Sequence, residues 1–341
     1  MEFTIETLTP LWTGGVKAGK MDRIHETGII GSLRWWYEAI VRGLGGLVND
    51  PTKDEGSGFD SEKYKKSKAS DVHARLREAG LCEVSQVFGA TGWRRRFRLS
   101  IVDHTHQDTS SPKQISVEHT NTETSKKATW WFKDYPRTGN LTIQIQSLAE
   151  DFPAEAIAGL FQFLADWAAI GGKTQMGFGV IKPVSGRICT QSLYDWLIHT
   201  VGNHHYPQLP SLQNIFLACI QLTNAKDQDT FKLKYDLRQL FAGQQSLRHF
   251  IMGTTQGGRM AAKIKMSRPY GDGLIRVWGW IPQKVNVYQS QWDRNKVVDT
   301  FYQHINTNYT LLVWREMNSP RDTDTPNNSD AREFLRTLLK L

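Results

Sequence analysis

Hydrophobic and polar positions alternate with period two in several short stretches of this chain, and between them recur with the period of a helix. Phe3 and Ile5 alternate with Thr4 and Glu6 before Pro10, which predicts an opening strand. Leu33, Trp36, Tyr37, Ile40, Val41 and Leu44 follow at helical spacing. Gly31-Ser32 stands ahead of them, so the helix is expected to open there with Ser32 as its N-cap, and Gly43, Gly45 and Gly46 to stop it. Phe97, Leu99 and Ile101 alternate with Arg98 and Ser100, and Leu141, Ile143 and Ile145 with Thr142, Gln144 and Gln146; both read as half-buried strands. Asp151 and Pro153 then start an amphipathic helix through Ile157, Leu160, Phe161 and Leu164.

The pattern restarts after Gly202–Pro210, a segment with the composition of a linker. Ile215–Leu222 is a nearly continuous apolar run, as expected of a central strand. A helix is expected around 233–251, a strand at Leu274–Ile281, and helices near 292–305 and 330–341 either side of a Pro/Asn/Asp-rich stretch at 318–329. The order strand, helix, strand, strand, helix, strand thus occurs twice. The expected fold is α+β: two ferredoxin-like (RRM-like) units packed together, with glycine-rich loops and insertions. The first spans 1–201 with insertions near 50–70 and 103–128, expected to be a mobile segment and a long polar loop. Residues 202–210 are the linker and 211–341 the second unit.

A length of 341 residues fits two such units. No apolar run approaches the ~20 residues of a membrane helix, and Met1–Glu6 lacks the charged-then-apolar layout of an export signal. Three scattered cysteines (Cys82, Cys189 and Cys219) give neither a disulfide framework nor zinc spacing, which fits a cytoplasmic protein with buried thiols. His104 with His106, and His204 with His205, lack a second ligand pair, so no metal or cofactor is expected.

The formal charge of +8 is unevenly spread. Trp93–Arg98 holds four arginines in six residues, and Lys263, Lys265 and Arg268 cluster later beside Arg259. Basic residues interleaved with aromatic ones suit an anionic polymer.

The segment Ala169-Ile-Gly-Gly-Lys-Thr-Gln-Met-Gly-Phe-Gly179 superficially resembles a nucleotide-binding P-loop. The glycine required five positions before Gly172 is replaced by Trp167, and the order is helix, loop, strand rather than strand, loop, helix. Such a loop is expected instead to admit a second backbone closely and to offer amides to phosphate, with Lys173 and Thr174 beside them. Gly31, Ser32 and Arg34, at an expected helix N-terminus, form a second candidate phosphate site. Trp35, flanking the apolar stripe, is a candidate base-stacking ring. Arg94, Arg96 and Arg98 would share one strand face. Arg23 and His25 precede the first helix and are candidate RNA contacts.

Three features in this order resemble the RAMP superfamily of CRISPR effector proteins: Thr9-Pro-Leu-Trp-Thr-Gly-Gly15 leading to Gly28-Ile-Ile-Gly-Ser-Leu-Arg-Trp-Trp-Tyr37, then Val87-Phe-Gly-Ala-Thr-Gly-Trp93, then the glycine loop at 171–179. The Arg-Trp-Trp-Tyr helix is similar specifically to that of the head-end RAMP subunit of type III-B, or Cmr, complexes. The resemblance covers 1–182 well and the remainder more loosely, through Gly253–Arg259 and Arg268–Gly271. It implies a double RRM-like, non-catalytic subunit that binds CRISPR guide RNA near its 3′ end, meets target RNA, and caps a filament of other RAMP subunits. The alternative is a metal-independent endoribonuclease that trims CRISPR transcripts, with His25 as the general base that activates a 2′-hydroxyl.

Overall fold

A computed structural model describes residues 1–53, 58–121, 124–200, 202–255 and 258–341, without the side chains of 119–126. The first half contains β1 (Glu2–Thr7), α1 (Glu26–Gly43), α2 (Ser61–Lys66), α3 (Val72–Glu78), α4 (Glu83–Phe88), β2 (Phe97–Gln107), β3 (Gln114–Asn121), β4 (Thr124–Trp131), β5 (Arg137–Ser147), α5 (Ala154–Trp167), β6 (Ile181–Pro183) and α6 (Gln191–Ile198). The second contains β7 (Ile215–Gln221), α7 (Asp227–Gln239), α8 (Gln245–Met252), β8 (Ile264–Met266), β9 (Leu274–Trp280), α9 (Arg294–Asn308), β10 (Thr310–Glu316) and α10 (Ala331–Leu339).

Each half builds a four-stranded antiparallel sheet, ordered β2-β5-β1-β6 in the first and β10-β7-β9-β8 in the second. In both, the first and third strands of the strand-helix-strand-strand-helix-strand series lie in the middle. Ile5, Leu141 and Ile143 turn inward beneath α1 and α5, whose Leu33, Trp36, Ile40, Leu160, Phe161 and Leu164 are buried against them. Burying each such side chain contributes about 1.5–3 kcal/mol, which makes this face the main source of order in the half.

The second sheet is covered on both faces. Phe216, Ala218, Ile220, Ile275 and Val277 pack under their own helices with Phe241 and Phe301, whereas Ile215, Leu217 and Trp278 join the core of the first half. Period two sends alternate residues to opposite faces, so one strand serves both cores. Arg276 follows Trp278 to the shared side, is 7% exposed, and donates to Leu164 O, Ala165 O and Ala168 O at 3.3, 2.6 and 2.9 Å. It thereby caps the C-terminus of α5, where orphan carbonyls and the negative end of the helix dipole favour a cation. The last helix also returns to the first half: Trp167 Nε1 donates to Leu338 O at 2.8 Å and Thr190 Oγ1 to Leu339 O at 2.9 Å.

Two expected loops are ordered. In the 50–70 segment, where 54–57 lie outside the described residues, Asp60 accepts the N–H groups of Glu62 and Lys63 at 3.0 Å and starts α2 despite its lysines. The 103–128 stretch is not a long loop. β2 continues to Gln107, paired with β5 along its whole length, and 114–121 pair antiparallel with 124–131 as the β3–β4 hairpin. Ile115 and Val117 are buried, and Trp130 meets Phe231 of α7 at 4.9 Å, so the hairpin bridges the halves. The expected helix around 233–251 is two helices, α7 and α8. The polar 318–329 stretch is held by buried Asp322, which accepts from Arg315 Nε at 3.0 Å and from the N–H of Glu316 at 2.8 Å. Among the described residues, no helix is long and apolar enough to cross a membrane.

Candidate nucleic-acid interface

α1 begins at Glu26, not at Ser32, with His25 as N-cap. Gly28 and Gly31 are poor helix formers and make the first turn illegible in sequence. Gly28 is needed for packing: a Cβ there would lie 2.9 Å from Thr13 O. Gly28, Gly31, Ser32 and Trp35 form one ridge of the helix, beside its buried stripe. Gly31 faces open space, with no atom within 4 Å of where a Cβ would stand.

The glycine loop meets that ridge. Ser32 Oγ accepts the Gly171 N–H at 2.8 Å, and its own proton is shared between Gly171 O at 3.1 Å and Gly28 O at 3.2 Å. Gly171 has φ +80°, and a Cβ on it would lie 2.4 Å from Trp12 O. The close approach expected of the loop is therefore present, and the N–H groups of its glycines are already bonded within the chain. The N–H groups of Gly172 and Gly179 bond Trp12 O and Pro10 O at 2.6 and 2.9 Å, and those of Met176 and Gly177 bond Lys173 O and Thr174 O. These amides tie the chain to itself. Thr174 is buried, and Lys173 lays its ammonium 3.2 Å from the centroid of Trp12, where burial lowers its pKa.

Several arginines have internal roles instead of the phosphate contacts expected of them. Arg34 lies about 200° round the helix from Ser32. It donates to Glu38 Oε1 at 3.1 Å and Gly89 O at 3.2 Å, pinning α1 to the end of α4. Arg96 is buried, pairs with Asp151, and donates to Gln86 O at 3.2 Å; β2 starts at Phe97, so strand alternation never reaches it. Arg94 and Arg98 are exposed. Arg268, 2% exposed, bonds Asp227 Oδ2 at 2.7 Å and Ser111 Oγ at 3.0 Å with its guanidinium over Phe178. Its N–H also reaches Gly177 O at 2.9 Å, so it fixes the glycine loop to the second half.

Other candidates remain accessible. Arg23 is exposed and leans on Glu26 at 3.3 Å; His25 Nε2 meets Asp22 Oδ1 at 2.9 Å and holds that carboxyl below its ordinary pKa. The N–H of His25 bonds Thr13 Oγ1 at 2.9 Å, which sets both residues at one end of the α1 ridge. Arg259 is exposed, next to residues 256 and 257, which lie outside the described residues.

Between the halves the surface opens into two connected hollows. A cleft of about 260 Å³ is lined by Thr13, Gly31, Ser32, Gly172 and Thr174. Its walls at Trp35 and Lys265 are shared with a cavity of about 1100 Å³. Lys265 comes from β8, where Ile264 and Met266 turn into the second core and leave it facing α1, its ammonium 5.2 Å from the Trp35 ring. Lys263 rests 3.5 Å from the Phe250 ring and donates to Phe250 O at 2.9 Å. Lys234, absent from the sequence-based set, donates to Gln175 O at 2.8 Å, and Arg238 one turn on donates to Gly253 O at 3.0 Å. The signal for them was two like charges at i, i+4 on α7, a spacing that ordinarily carries opposite charges. Burial pushes Lys234, Lys263 and Lys265 down to about 8, and no carboxylate among the described residues counters it. Among the described residues, no group of three or more His, Cys, Asp and Glu is placed to hold a metal ion.

A family model described as the RAMP superfamily matches residues 4–182, over half the chain, and spans the first sheet, the α1 ridge and the glycine loop. The chain belongs to the RAMP superfamily. No match was found among curated proteins. Among solved structures, this RAMP protein is similar to Cmr1 from Pyrococcus furiosus in its apo form, at 13% identity over 91% of this chain and 97% of that one, with a TM-score of 0.42. It is likewise similar to a chain of the type III-B Cmr-beta complex bound to cognate target RNA, at 10% identity over 88% and 99% of the two chains, TM-score 0.43. Cmr6 from Pyrococcus furiosus aligns with 54% of this chain and 96% of its own, at 12% identity and a TM-score of 0.26.

Proposed function

We propose that this RAMP protein is a non-catalytic RNA-binding subunit of a type III-B CRISPR effector complex, capping the 3′ end of the guide RNA beside other RAMP subunits and near target RNA. Its two halves act as ferredoxin-like units joined at 202–210, and RNA runs along the cleft between them. Supporting this reading are membership of the superfamily and the order of the three motifs in the first half. The observation that carries it is the meeting of Lys234, Lys263 and Lys265, unbalanced by any described carboxylate, with Trp35 and the open Gly31 ridge. Phosphates would be held by the lysines and bases by aromatic faces, with little sequence readout.

The test is single-stranded RNA binding by fluorescence anisotropy across a salt series. Three neutralised phosphates give a slope of log K against log salt of about −2. Lys265→Gln is expected to reduce that slope by about 0.7. Affinity that hardly changes with salt would sink the reading. The His25–Asp22 pair supports the alternative, an endoribonuclease, because a carboxylate hydrogen-bonded to one ring nitrogen fixes the orientation and tautomer of the imidazole. Repeat RNA incubated with the protein and a chelator separates the two: products ending in 2′,3′-cyclic phosphate, lost in His25→Ala, would favour the enzyme.

A further inference from the structure

We propose that the open cavity bounded by β4, α7, α8 and β8 is a site for one unpaired nucleotide, its base against the aromatic wall and its phosphate on Lys234, Lys263 and Lys265. The inference rests on the RNA-binding reading only for the direction from which a strand would approach.

The wall of this cavity carries an electrostatic imbalance. An ammonium taken from water favours its neutral form unless an anion joins it. Lys234 and Lys263 each give one donor to a backbone carbonyl, at 2.8 and 2.9 Å, and an ammonium has three. Arg238 adds a fourth cation to the same wall. Nothing in the core requires this arrangement. Ile264 and Met266, the neighbours of Lys265, complete the second core without it.

The rest of the wall selects the kind of anion. Trp35, Trp130, Trp131, Tyr235, Trp280 and Tyr288 line the same hollow. Trp131 is 68% exposed at the end of β4, a large ring at the rim with no place in either core. A bare phosphate would satisfy the lysines and leave the Trp131 ring at the rim in water. A nucleotide satisfies both, and at about 1100 Å³ the cavity lies just above the ~300–1,000 Å³ of ordinary small-ligand clefts, with room for it. Gln175 and Met176 on its wall belong to the glycine loop, so a strand leaving the α1 ridge past Trp35 and Lys265 would enter it directly.

Calorimetric titrations of the full chain with adenosine monophosphate, ribose 5-phosphate and inorganic phosphate test this. The nucleotide is expected to bind about tenfold tighter than ribose 5-phosphate, the contribution of a stacked base. The variant K234Q/K263Q/K265Q is expected to lose that binding with an unchanged or raised Tm, because three desolvated charges are gone. If the triple variant folds poorly, Lys265→Gln alone must weaken the nucleotide severalfold. Equal affinity for nucleotide and ribose 5-phosphate, wild-type affinity in the variants, or equal binding of an acidic peptide would each overturn the proposal. Competition identifies the source. Displacement by a linear RNA but not by a circular one of the same sequence indicates a strand terminus, and displacement by neither indicates a free nucleotide; both support the site. Salt-sensitive RNA binding without nucleotide binding would overturn this inference and leave the proposed function standing. Nucleotide binding without RNA binding would do the reverse.

Discussion

Ser32 and Gly171 are 139 positions apart and hold each other through one hydroxyl, which takes the Gly171 N–H at 2.8 Å and returns its proton toward the Gly171 carbonyl at 3.1 Å. This contact sets the distance between the α1 ridge and the glycine loop, and hence the width of the cleft. Ser32→Ala removes both bonds and leaves the Gly171 amide without its partner. A loss of about 1–2 kcal/mol in urea denaturation is expected, with weaker RNA binding in the same variant. An unchanged midpoint would show that the bonds to Trp12, Pro10 and Arg268 hold the loop without Ser32.

Gly31 and Gly171 should respond to alanine in opposite ways. Gly31 sits within α1 under open space, so Gly31→Ala is expected to gain about 0.5–1 kcal/mol of stability while a methyl group intrudes on the cleft and weakens RNA. Gly171→Ala forces a Cβ to 2.4 Å from Trp12 O at φ +80° and is expected to destabilise. Thermal melts paired with RNA titrations read both effects. A Gly31→Ala protein that binds RNA normally would remove this ridge from the interface.

Arg276→Met is expected to cost about 2–4 kcal/mol, because three carbonyls at the end of α5 lose a charged donor in a buried place. Arg268→Met should likewise lower stability. Neither should alter the salt slope of whatever RNA binding survives, in contrast to Lys265→Gln. A changed slope for either arginine variant would mean that it touches phosphate after all.

The lysine pKa values near 8 also set a pH dependence. For Lys263 and Lys265 the folded value lies below the ordinary 10.5, so between about pH 8 and 10.5 the unfolded chain binds more protons than the folded one. Stability contributed by these groups therefore rises with pH through that window, as the cost of holding them charged disappears. Anion binding moves the other way: RNA affinity should fall between about pH 7 and 9, where ordinary surface lysines stay charged. Anisotropy across that range checks it, with the triple glutamine variant expected to be flat.

Regular periodicity made much of the architecture legible. Phe3 and Ile5, Leu141 to Ile145, and the run from Ile215 carry enough inward-facing residues to declare their strands. The β3–β4 hairpin escaped because only Ile115 and Val117 mark its inward face in β3. At the proposed site, the glycines show a packing role that spacing alone did not convey. They let Trp12 and Ser32 come close, and their own N–H groups are bonded within the chain in doing so. The burial of Arg96 and Arg268 depends on Asp151 and Asp227, 55 and 41 positions away, a relation that local pattern does not contain. Lys234 was hidden for a related reason: the residues that make it unusual are those it fails to pair with.

The second sheet, occupied on both sides and gripped at α5 by Arg276, joins the two halves through one shared core. The proposed RNA channel would then be preformed among the described residues. Capture is then free of any conformational tax, and encounter rates should follow ionic strength directly, as for a charged slot awaiting a threaded strand.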